Sequence, residues 1–294
     1  MTRIGVKILC GLVLLLAIAG ESSRAQNLAG PQGPEEGVIR RQTWFIPAQD
    51  GSTMMRTTVF RPPGDGPFPL AVVNHGSTQN ELRRAAYPAP RYSVLSRWLV
   101  ARGYAVAVPQ RPGHGETGGP YDEKLGNCAH ADFRKAGQGA ATSIAAAIRF
   151  MIRQPFVRKT GVLVVGQSAG DWGALALAAQ NPPDIRAVVA FAPGRGGRVN
   201  NEAGRNCAPE RLVATAGEFG RKARVPILWL SAENDSYFGP ELSKRMAEAF
   251  RGAGGRAEYH LLPPVGDDGH RMISAPEAVA TWGPIVEKFL RTAR

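Results

Sequence analysis

A five-residue string, Gly-Gln-Ser-Ala-Gly at positions 166–170, constrains the fold of this chain more than any other feature. It follows an apolar run at 161–165 that is typical of a buried strand. It precedes a run at 171–180 that is rich in good helix formers. The string therefore predicts a sharp strand-to-helix turn, in which only small neighbouring residues fit. A strained turn of this kind pushes the serine hydroxyl above the sheet edge, which makes Ser168 a candidate nucleophile.

A serine nucleophile needs a base within hydrogen-bond reach and a third group that orients the base. Asp235 is the candidate acid, because it stands in the loop after the apolar run 226–231. A turn or helix-capping role is the alternative for Asp235, and Glu233 is then the substitute acid. His270 is the candidate base, in a polar loop after the last predicted strand, 257–262. The chain order is serine, acid, histidine.

The chain has four histidines besides His270, namely His75, His114, His130 and His260. His260 lies inside a predicted strand, and His75 belongs to a turn in which its ring is expected to pack or bond locally. His114 and His130 are candidates for lining the cleft. Only His270 follows the acid in a loop after the last strand, so it is the preferred base. The neighbouring acids, Asp267 and Asp268, are too close to it in sequence to reach the far ring nitrogen easily.

The rest of the chain alternates apolar strands with helical segments. The segment 132–154 carries apolar residues at spacings of three and four, which predicts one buried helical face. Alternating strands and helices predict a mostly parallel sheet with helices on both faces. We predict one α/β domain over residues 41–294, preceded by a flexible segment at 26–40 that is rich in Gly, Pro and polar residues. The eight predicted strands are 42–47, 54–61, 70–75, 105–110, 161–166, 187–192, 226–231 and 257–262.

The string at 166–170 and the ordered acid and histidine resemble the α/β-hydrolase-fold serine hydrolases, in the branch of dienelactone-hydrolase-like proteins and small esterases. A second motif supports the resemblance, because the apolar run 70–74 ends in the His-Gly turn that carries part of the oxyanion hole in this family. The resemblance implies that the backbone N–H groups of Ser77 and Ala169 bind the oxyanion. It also implies an antiparallel second strand. Dienelactone hydrolases proper use a cysteine nucleophile, whereas this chain has Ser168, a difference that leaves acyl-transfer chemistry intact without fixing the substrate.

These residues predict a serine hydrolase that cleaves small carboxylic esters. Ser168 attacks the ester carbonyl, His270 takes its proton, and Asp235 orients the imidazole. Tyr237 and Phe238, next to the acid, are candidates for an apolar wall of the substrate pocket. No cofactor is implied, and no Cys/His cluster has the spacing of metal ligands. The alternatives are a peptidase or amidase with the same triad, and a non-catalytic binding protein on a hydrolase scaffold.

The first residues of the chain are typical of a secretory signal peptide. Arg3 and Lys7 precede an apolar run at 8–19, and small residues near Ala25 predict cleavage after it. We therefore predict a signal peptide over 1–25 and a periplasmic or secreted enzyme that does not stay inserted in the membrane after cleavage. An uncleaved membrane anchor is the alternative, although the apolar run is short for a bilayer span.

Predicted export gives a meaning to the cysteines. The chain has three cysteines, and Cys10 lies in the predicted leader, so Cys128 and Cys207 remain as a pair. A lone pair in an oxidising compartment is expected to form a disulfide. Both cysteines follow predicted strands that should end at the same sheet edge as Ser168. The bridge is therefore expected to pin two loops at the mouth of the cleft.

The chain is basic, with a formal net charge of +12. The excess charge is scattered and has no aromatic interleaving, so it does not indicate a nucleic-acid partner. Attraction to anionic envelope surfaces or to acidic substrates fits better, and a non-hydrolytic envelope-binding protein is a further alternative. One cluster of arginines follows the strand at 187–192 and either contacts a carboxylate-bearing substrate or is simply solvated. Its members are Arg195, Arg198, Arg205 and Arg211.

Overall fold

A nine-stranded sheet runs through the computed structural model, which describes residues 28–293. Across the sheet the strands lie in the order β1-β2-β3-β5-β4-β6-β7-β8-β9. All neighbours from β5 to β9 are parallel, whereas β1 to β3 pair antiparallel with one another and β3 pairs antiparallel with β5. In chain order the strands are β1 (Gly30–Glu36), β2 (Arg41–Pro47), β3 (Met54–Phe60), β4 (Leu70–Asn74), β5 (Ala105–Pro109), β6 (Val162–Gln167), β7 (Ile185–Phe191), β8 (Ile227–Ala232) and β9 (Ala257–Leu262).

Helices cover both faces of this sheet. In the described part of the chain the α-helices are α1 (Glu81–Ala85), α2 (Ser93–Val100), α3 (Phe133–Met151), α4 (Ala169–Ala178), α5 (Pro209–Lys222), α6 (Pro240–Gly252) and α7 (Val279–Thr292). Helices α3 to α6 pack on one face, and α2 and α7 pack on the other. Successive residues of a strand point to opposite faces, so Val164 of β6 joins the first core and Val165 joins the second. Because both faces are buried, the central strands need continuous apolar sequence.

The predicted α/β fold is confirmed, including the antiparallel second strand, which is β3. The prediction of eight strands is one short. The ninth is β1, in the segment 26–40 that was predicted to be flexible, and it pairs with β2 from Gly30 opposite Phe45 to Glu36 opposite Arg41. An edge strand bonds on one side only and keeps a solvated face, so it tolerates Gly, Pro and polar residues that a central strand excludes. Composition therefore does not reveal this strand.

Two predictions concern the membrane, namely a signal peptide over 1–25 and no inserted segment after its cleavage. The signal peptide predicted for 1–25 lies outside the described residues. Within 28–293, every helix is too short or too polar to cross a bilayer.

Candidate active site

Ser168 stands at the turn between β6 and α4, with φ 56° and ψ −120°. A positive φ costs a non-glycine residue about 1–3 kcal/mol, so the surrounding structure must hold this turn. The neighbouring glycines make the turn possible. A Cβ on Gly166 would lie 2.6 Å from Oδ1 of Asp171, and a Cβ on Gly170 would lie 2.3 Å from the carbonyl oxygen of Asn74. Both separations are too short for any side chain, which explains why the string needs glycine at these positions.

The structure brings Asp235 and His270 into direct contact. Nδ1 of His270 lies 3.1 Å from both carboxylate oxygens of Asp235, and both side chains are buried. Oδ1 of Asp235 also accepts hydrogen bonds from the backbone N–H groups of Tyr237 at 2.7 Å and Phe238 at 3.0 Å. These bonds fix the carboxylate, so Nδ1 of His270 is the ring nitrogen that carries the proton. Nε2 is then the basic nitrogen.

The other acids near His270 do not take this position. Glu233 is exposed and makes no side-chain contact with the imidazole in the described range. Asp268 accepts hydrogen bonds from the Ser236 hydroxyl at 2.7 Å and from the backbone N–H of His270 at 3.1 Å. Burial alone would raise the pKa of Asp268, but its bonds from Ser236 and His270 lower it. Asp268 therefore ties the loop of the acid to the loop of the histidine.

Ser168 and His270 line one cavity of about 620 Å³. The Ser168 hydroxyl has no hydrogen-bond partner among residues 28–293, so no structural hydrogen bond has to be broken before it reacts. Contacts between a nucleophile and its base are often looser without substrate than in the reacting complex. Tyr237 and Phe238, the candidates for an apolar wall, also line the cavity. The Tyr237 ring stacks on the His270 ring, with centroids 4.1 Å apart and an interplanar angle of 22°.

The predicted oxyanion donors, Ser77 and Ala169, lie on the wall of the same cavity. Ala169 begins α4, whose first N–H groups have no partners within the helix and carry its partial positive charge. The backbone N–H of Ser77 likewise makes no hydrogen bond within the described range. A Cβ on Gly76 would lie 3.5 Å from Cβ of Ser168. The turn that carries Ser77 is therefore within contact distance of the elbow, the strand-to-helix turn at 166–170. Two unpaired N–H groups thus border the position of the candidate nucleophile.

Two buried histidines hold the turn that carries Ser77. His75 accepts from the backbone N–H of Arg111 through Nε2 at 3.0 Å, so its Nδ1 donates to the Gly76 carbonyl at 2.6 Å. His114 donates from Nδ1 to two backbone carbonyls, so its Nε2 accepts from the Ser77 hydroxyl at 2.8 Å. Burial lowers the pKa of His75 well below 6.5 and that of His114 to about 4. Both rings are therefore neutral at pH 7 and act as fixed braces for the turn.

Sequence reasoning missed a buried charge cluster behind this turn. Glu123 accepts from Arg111 Nε at 2.5 Å and from Arg195 Nη1 at 2.9 Å, and all three side chains are almost inaccessible to solvent. Burial alone would raise the pKa of Glu123, but Arg111 and Arg195 lower it to about 2. Arg195 also donates to the Tyr121 hydroxyl at 2.5 Å. The cluster fixes Arg195 at the cavity wall and leaves a net charge of +1.

The predicted arginine cluster is only partly at the cavity. Arg195 and Arg198 line it, whereas Arg205 pairs with Glu202 on the surface and Arg211 lies beside a separate shallow depression. Two further arginines, Arg83 and Arg271, also line the cavity. They come from segments distant in sequence from the predicted cluster. None of the described residues that line the cavity is Asp or Glu.

The predicted disulfide between Cys128 and Cys207 is confirmed. Its Cα atoms are 5.0 Å apart, and it closes a sequence separation of 79 residues. Both cysteines line the cavity. The bridge therefore ties the loop near Cys128 to the segment before α5, which also carries Arg195 and Arg198. Within the described chain, no group of three or more His, Cys, Asp or Glu side chains has the geometry of a metal site.

Asp171, directly below the elbow, is a buried carboxyl group with no ion-pair partner in the described range. Burial raises its pKa well above 3.8, and neither carboxylate oxygen has a hydrogen-bond partner in the described range. The folded protein therefore holds a proton that the unfolded chain releases above about pH 4. Stability supplied by this proton is present below that pH and is lost as the pH rises through the folded-state pKa.

Replacing Asp171 with asparagine, which is similar in shape and does not ionise, is expected to remove this loss. Asp171→Asn should unfold at a higher urea concentration than the wild type at about pH 7, and the difference should shrink toward about pH 4. Asp267→Asn, at an exposed carboxylate, is the matched control and should shift the midpoint little at either pH. Equal or lower stability of Asp171→Asn at neutral pH would contradict a costly buried carboxyl.

A mostly parallel sheet with a serine elbow after one strand, an acid after β8 and a histidine after β9 defines the α/β-hydrolase fold. The chain belongs to the dienelactone hydrolase family, whose sequence pattern matches residues 91–267, more than half of its length. It is therefore a hydrolase by family, as the resemblance of its motifs predicted. No curated protein matches the chain at a significant level.

Solved structures share this fold. An esterase of Pyrococcus furiosus has a TM-score of 0.61 and 14% identity, with 90% of this chain and 98% of that chain covered. Acetyl xylan esterase 1 from a Thermoanaerobacterium species has a TM-score of 0.57 and 16% identity, with 92% of each chain covered. The acylaminoacyl peptidase of Pyrococcus horikoshii has a TM-score of 0.62 and 11% identity, with 91% of this chain and 43% of that chain covered. At such low identity the likeness shows the fold alone, because one fold hosts many activities.

Proposed function

We propose that this protein is a serine hydrolase that cleaves carboxylic esters through an acyl-enzyme. The observation that carries the proposal is the convergence of three features on one cavity. These are the elbow with Ser168, the Asp235–His270 pair, and the unpaired N–H groups of Ser77 and Ala169. A nucleophile, an oriented base and two oxyanion donors are the groups that acyl transfer requires.

In the first half-reaction, the Ser168 oxygen attacks the ester carbonyl while Nε2 of His270 takes the hydroxyl proton. Asp235 holds the imidazole through Nδ1 and stabilises its cation. The N–H groups of Ser77 and Ala169 bind the oxyanion of the tetrahedral intermediate, a contribution of about 10²–10³ in rate for each such donor. His270 then gives its proton to the leaving alcohol. In the second half-reaction a water molecule, activated by the same histidine, releases the acid.

An ester substrate is preferred over an amide on the strength of the family and of the esterases that share the fold. A peptidase or amidase is the second candidate, because a peptidase also shares the fold. Rates on p-nitrophenyl esters of increasing acyl length, compared with aminoacyl p-nitroanilides, distinguish the two. We expect measurable turnover of short esters and little turnover of anilides. Faster cleavage of anilides would replace the esterase proposal with the peptidase one.

We also propose that the enzyme is exported. The sequence at 1–25 is typical of a signal peptide, and the Cys128–Cys207 disulfide is typical of proteins in oxidising compartments. Both features fit a periplasmic or secreted location.

The charge of the cavity favours esters that carry an extra negative charge. Four arginines line it, and no described lining residue is acidic. Arg83 and Arg271 are exposed at its wall and have no ion-pair partner within residues 28–293. Because one charge contact at a protein surface contributes about 1 kcal/mol or more, a carboxylate on the substrate should raise kcat/KM by about tenfold.

Matched aryl esters test this preference. p-Nitrophenyl hemisuccinate should be cleaved with about tenfold higher kcat/KM than p-nitrophenyl butyrate, and added salt should reduce the ratio. Arg271→Gln and Arg83→Gln should each reduce it, whereas Arg205→Gln, outside the cavity, should leave it unchanged. Equal kcat/KM for the charged and neutral esters at low salt would contradict a role for these arginines in substrate choice.

A further inference from the structure

Gln167, between Gly166 and Ser168 in the elbow, uses both ends of its side-chain amide in hydrogen bonds to other segments. Its Nε2 donates a hydrogen bond to the backbone carbonyl of His270 at 2.7 Å. Its Oε1 accepts a hydrogen bond from the Tyr92 hydroxyl at 2.9 Å. The Tyr92 oxygen in turn accepts from the backbone N–H of Gly76 at 3.4 Å. A continuous chain of hydrogen bonds thus joins the histidine loop, the elbow and the turn that carries the candidate oxyanion donor.

The direction of every bond in this chain is fixed by chemistry. The His270 carbonyl can only accept, so the amide nitrogen of Gln167 faces it and the amide oxygen faces Tyr92. Tyr92 must then donate to that oxygen, which leaves its lone pairs for the Gly76 N–H. Burial raises the pKa of Tyr92 well above 10, so the hydroxyl keeps the proton it donates. Only an amide at position 167 supplies both the donor and the acceptor that this arrangement needs.

Each end of this hydrogen-bond chain is also held by contacts of its own, and Gln167 and Tyr92 join the two ends. The loop of His270 is fixed at the His270 N–H by Asp268, and Gln167 adds a bond to the carbonyl of the same residue. Tyr92 lies at the start of α2 in a left-handed backbone conformation, with φ 44° and ψ 52°. This conformation sets the direction in which its side chain leaves the backbone. Gln167 lies next to Ser168 in sequence. Any movement of the histidine loop away from the elbow therefore has to break a bond to the residue beside the nucleophile.

We propose that Gln167 and Tyr92 are positioning residues that set the relative placement of Ser168, His270 and the turn carrying Ser77. Gln167 lies on the wall of the cavity, but both ends of its side-chain amide bond protein groups, so the two residues act through the groups they hold. This inference rests on the proposed serine-hydrolase function. Because a misplacement of about 1 Å costs about 10²-fold in rate, loss of these hydrogen bonds should lower kcat by about tenfold to a hundredfold with little change in KM.

Two substitutions at Gln167 separate positioning from folding. Gln167→Met keeps the approximate volume and removes both bonds, so kcat should fall by the stated factor. Gln167→Glu keeps the shape, but its ionised form cannot donate to the His270 carbonyl, whereas its protonated form can. The ratio of kcat for Gln167→Glu to kcat for the wild type should therefore rise as the pH falls from about 8 to about 5. A simple packing defect would give a ratio that does not depend on pH.

Tyr92 provides the test of coupling. Tyr92→Phe should lower kcat less than Gln167→Met does, and the double variant should be no slower than Gln167→Met alone, because the two side chains act as one chain. Tyr104→Phe is the matched control, since the Tyr104 hydroxyl makes no hydrogen bond in the described range. Thermal unfolding of each variant, followed by circular dichroism, checks that the folded state is retained.

Three outcomes would overturn the positioning role while leaving the proposed function in place. These are a kcat of Gln167→Met within twofold of the wild type, a pH-independent ratio for Gln167→Glu, and additive effects of the two single variants. In each case wild-type ester hydrolysis persists. An inactive wild type would overturn the proposed function, and the positioning role would fall with it.

Discussion

Replacing Ser168 with alanine is expected to lower kcat for ester hydrolysis by about 10⁴- to 10⁶-fold, because the members of a triad act as a unit. The variant should fold normally. The Ser168 hydroxyl makes no hydrogen bond within residues 28–293, and alanine meets the same backbone strain at φ 56° as serine does. Initial rates on the best p-nitrophenyl ester, with the unfolding temperature of the same sample, measure both quantities.

The matched control for this substitution is Ser143→Ala, at a buried serine in α3. It should leave kcat within about twofold of the wild type, since surface and remote substitutions change little. A Ser168→Ala variant that keeps a tenth or more of wild-type activity would mean that another group is the nucleophile.

Replacing Asp235 with asparagine should lower kcat by about 10⁴-fold, the effect expected when an imidazole is held in the wrong tautomer. The amide oxygen can still accept from the Tyr237 and Phe238 N–H groups, so the loop should keep its conformation. The amide nitrogen would then face Nδ1 of His270 and donate to it. That bond would place the ring proton on Nε2, where it blocks the base.

Glu233→Gln is the companion variant, because Glu233 is the other acid in the same loop. Glu233 is exposed and does not contact the imidazole, so kcat should change by less than about twofold. Steady-state ester assays that give kcat for both variants decide which of the two acids orients His270. A large loss with Glu233→Gln and a small one with Asp235→Asn would reverse the assignment of the orienting acid.

The elbow and the order of its partners were predictable because each has a strong local signal. The string at 166–170 is short. It needs its glycines because a Cβ on Gly166 or Gly170 would lie only 2.3–2.6 Å from the nearest neighbouring atom. Asp235 follows the buried apolar strand β8, and His270 follows β9, its parallel neighbour at the edge of the sheet. Parallel strands bring their carboxyl ends to one edge, so loops that are far apart in sequence meet there. The contact between Asp235 and His270 follows from that topology.

The braces of the site were not predictable, since they are non-local. Glu123 gives no sign in sequence that it lies between Arg111, in the same connection after β5, and Arg195, which is 72 residues away. The partners of Gln167 are 75 and 103 residues away. Strand β1 was missed for a different reason, because an edge strand has no apolar pattern. Patterns of apolar residues predict elements, whereas polar side-chain networks depend on how the loops fold over one another.

Labelling of the purified protein with a fluorophosphonate, followed by peptide mapping, tests the proposed nucleophile most directly. Such a probe modifies a serine only when an assembled base activates it. A single modified peptide that contains Ser168, absent from Ser168→Ala and much reduced in Asp235→Asn, is the expected result. A folded sample that takes up no label, or label on another serine, would contradict the proposed Ser168–His270–Asp235 triad and return a non-catalytic binding protein to first consideration.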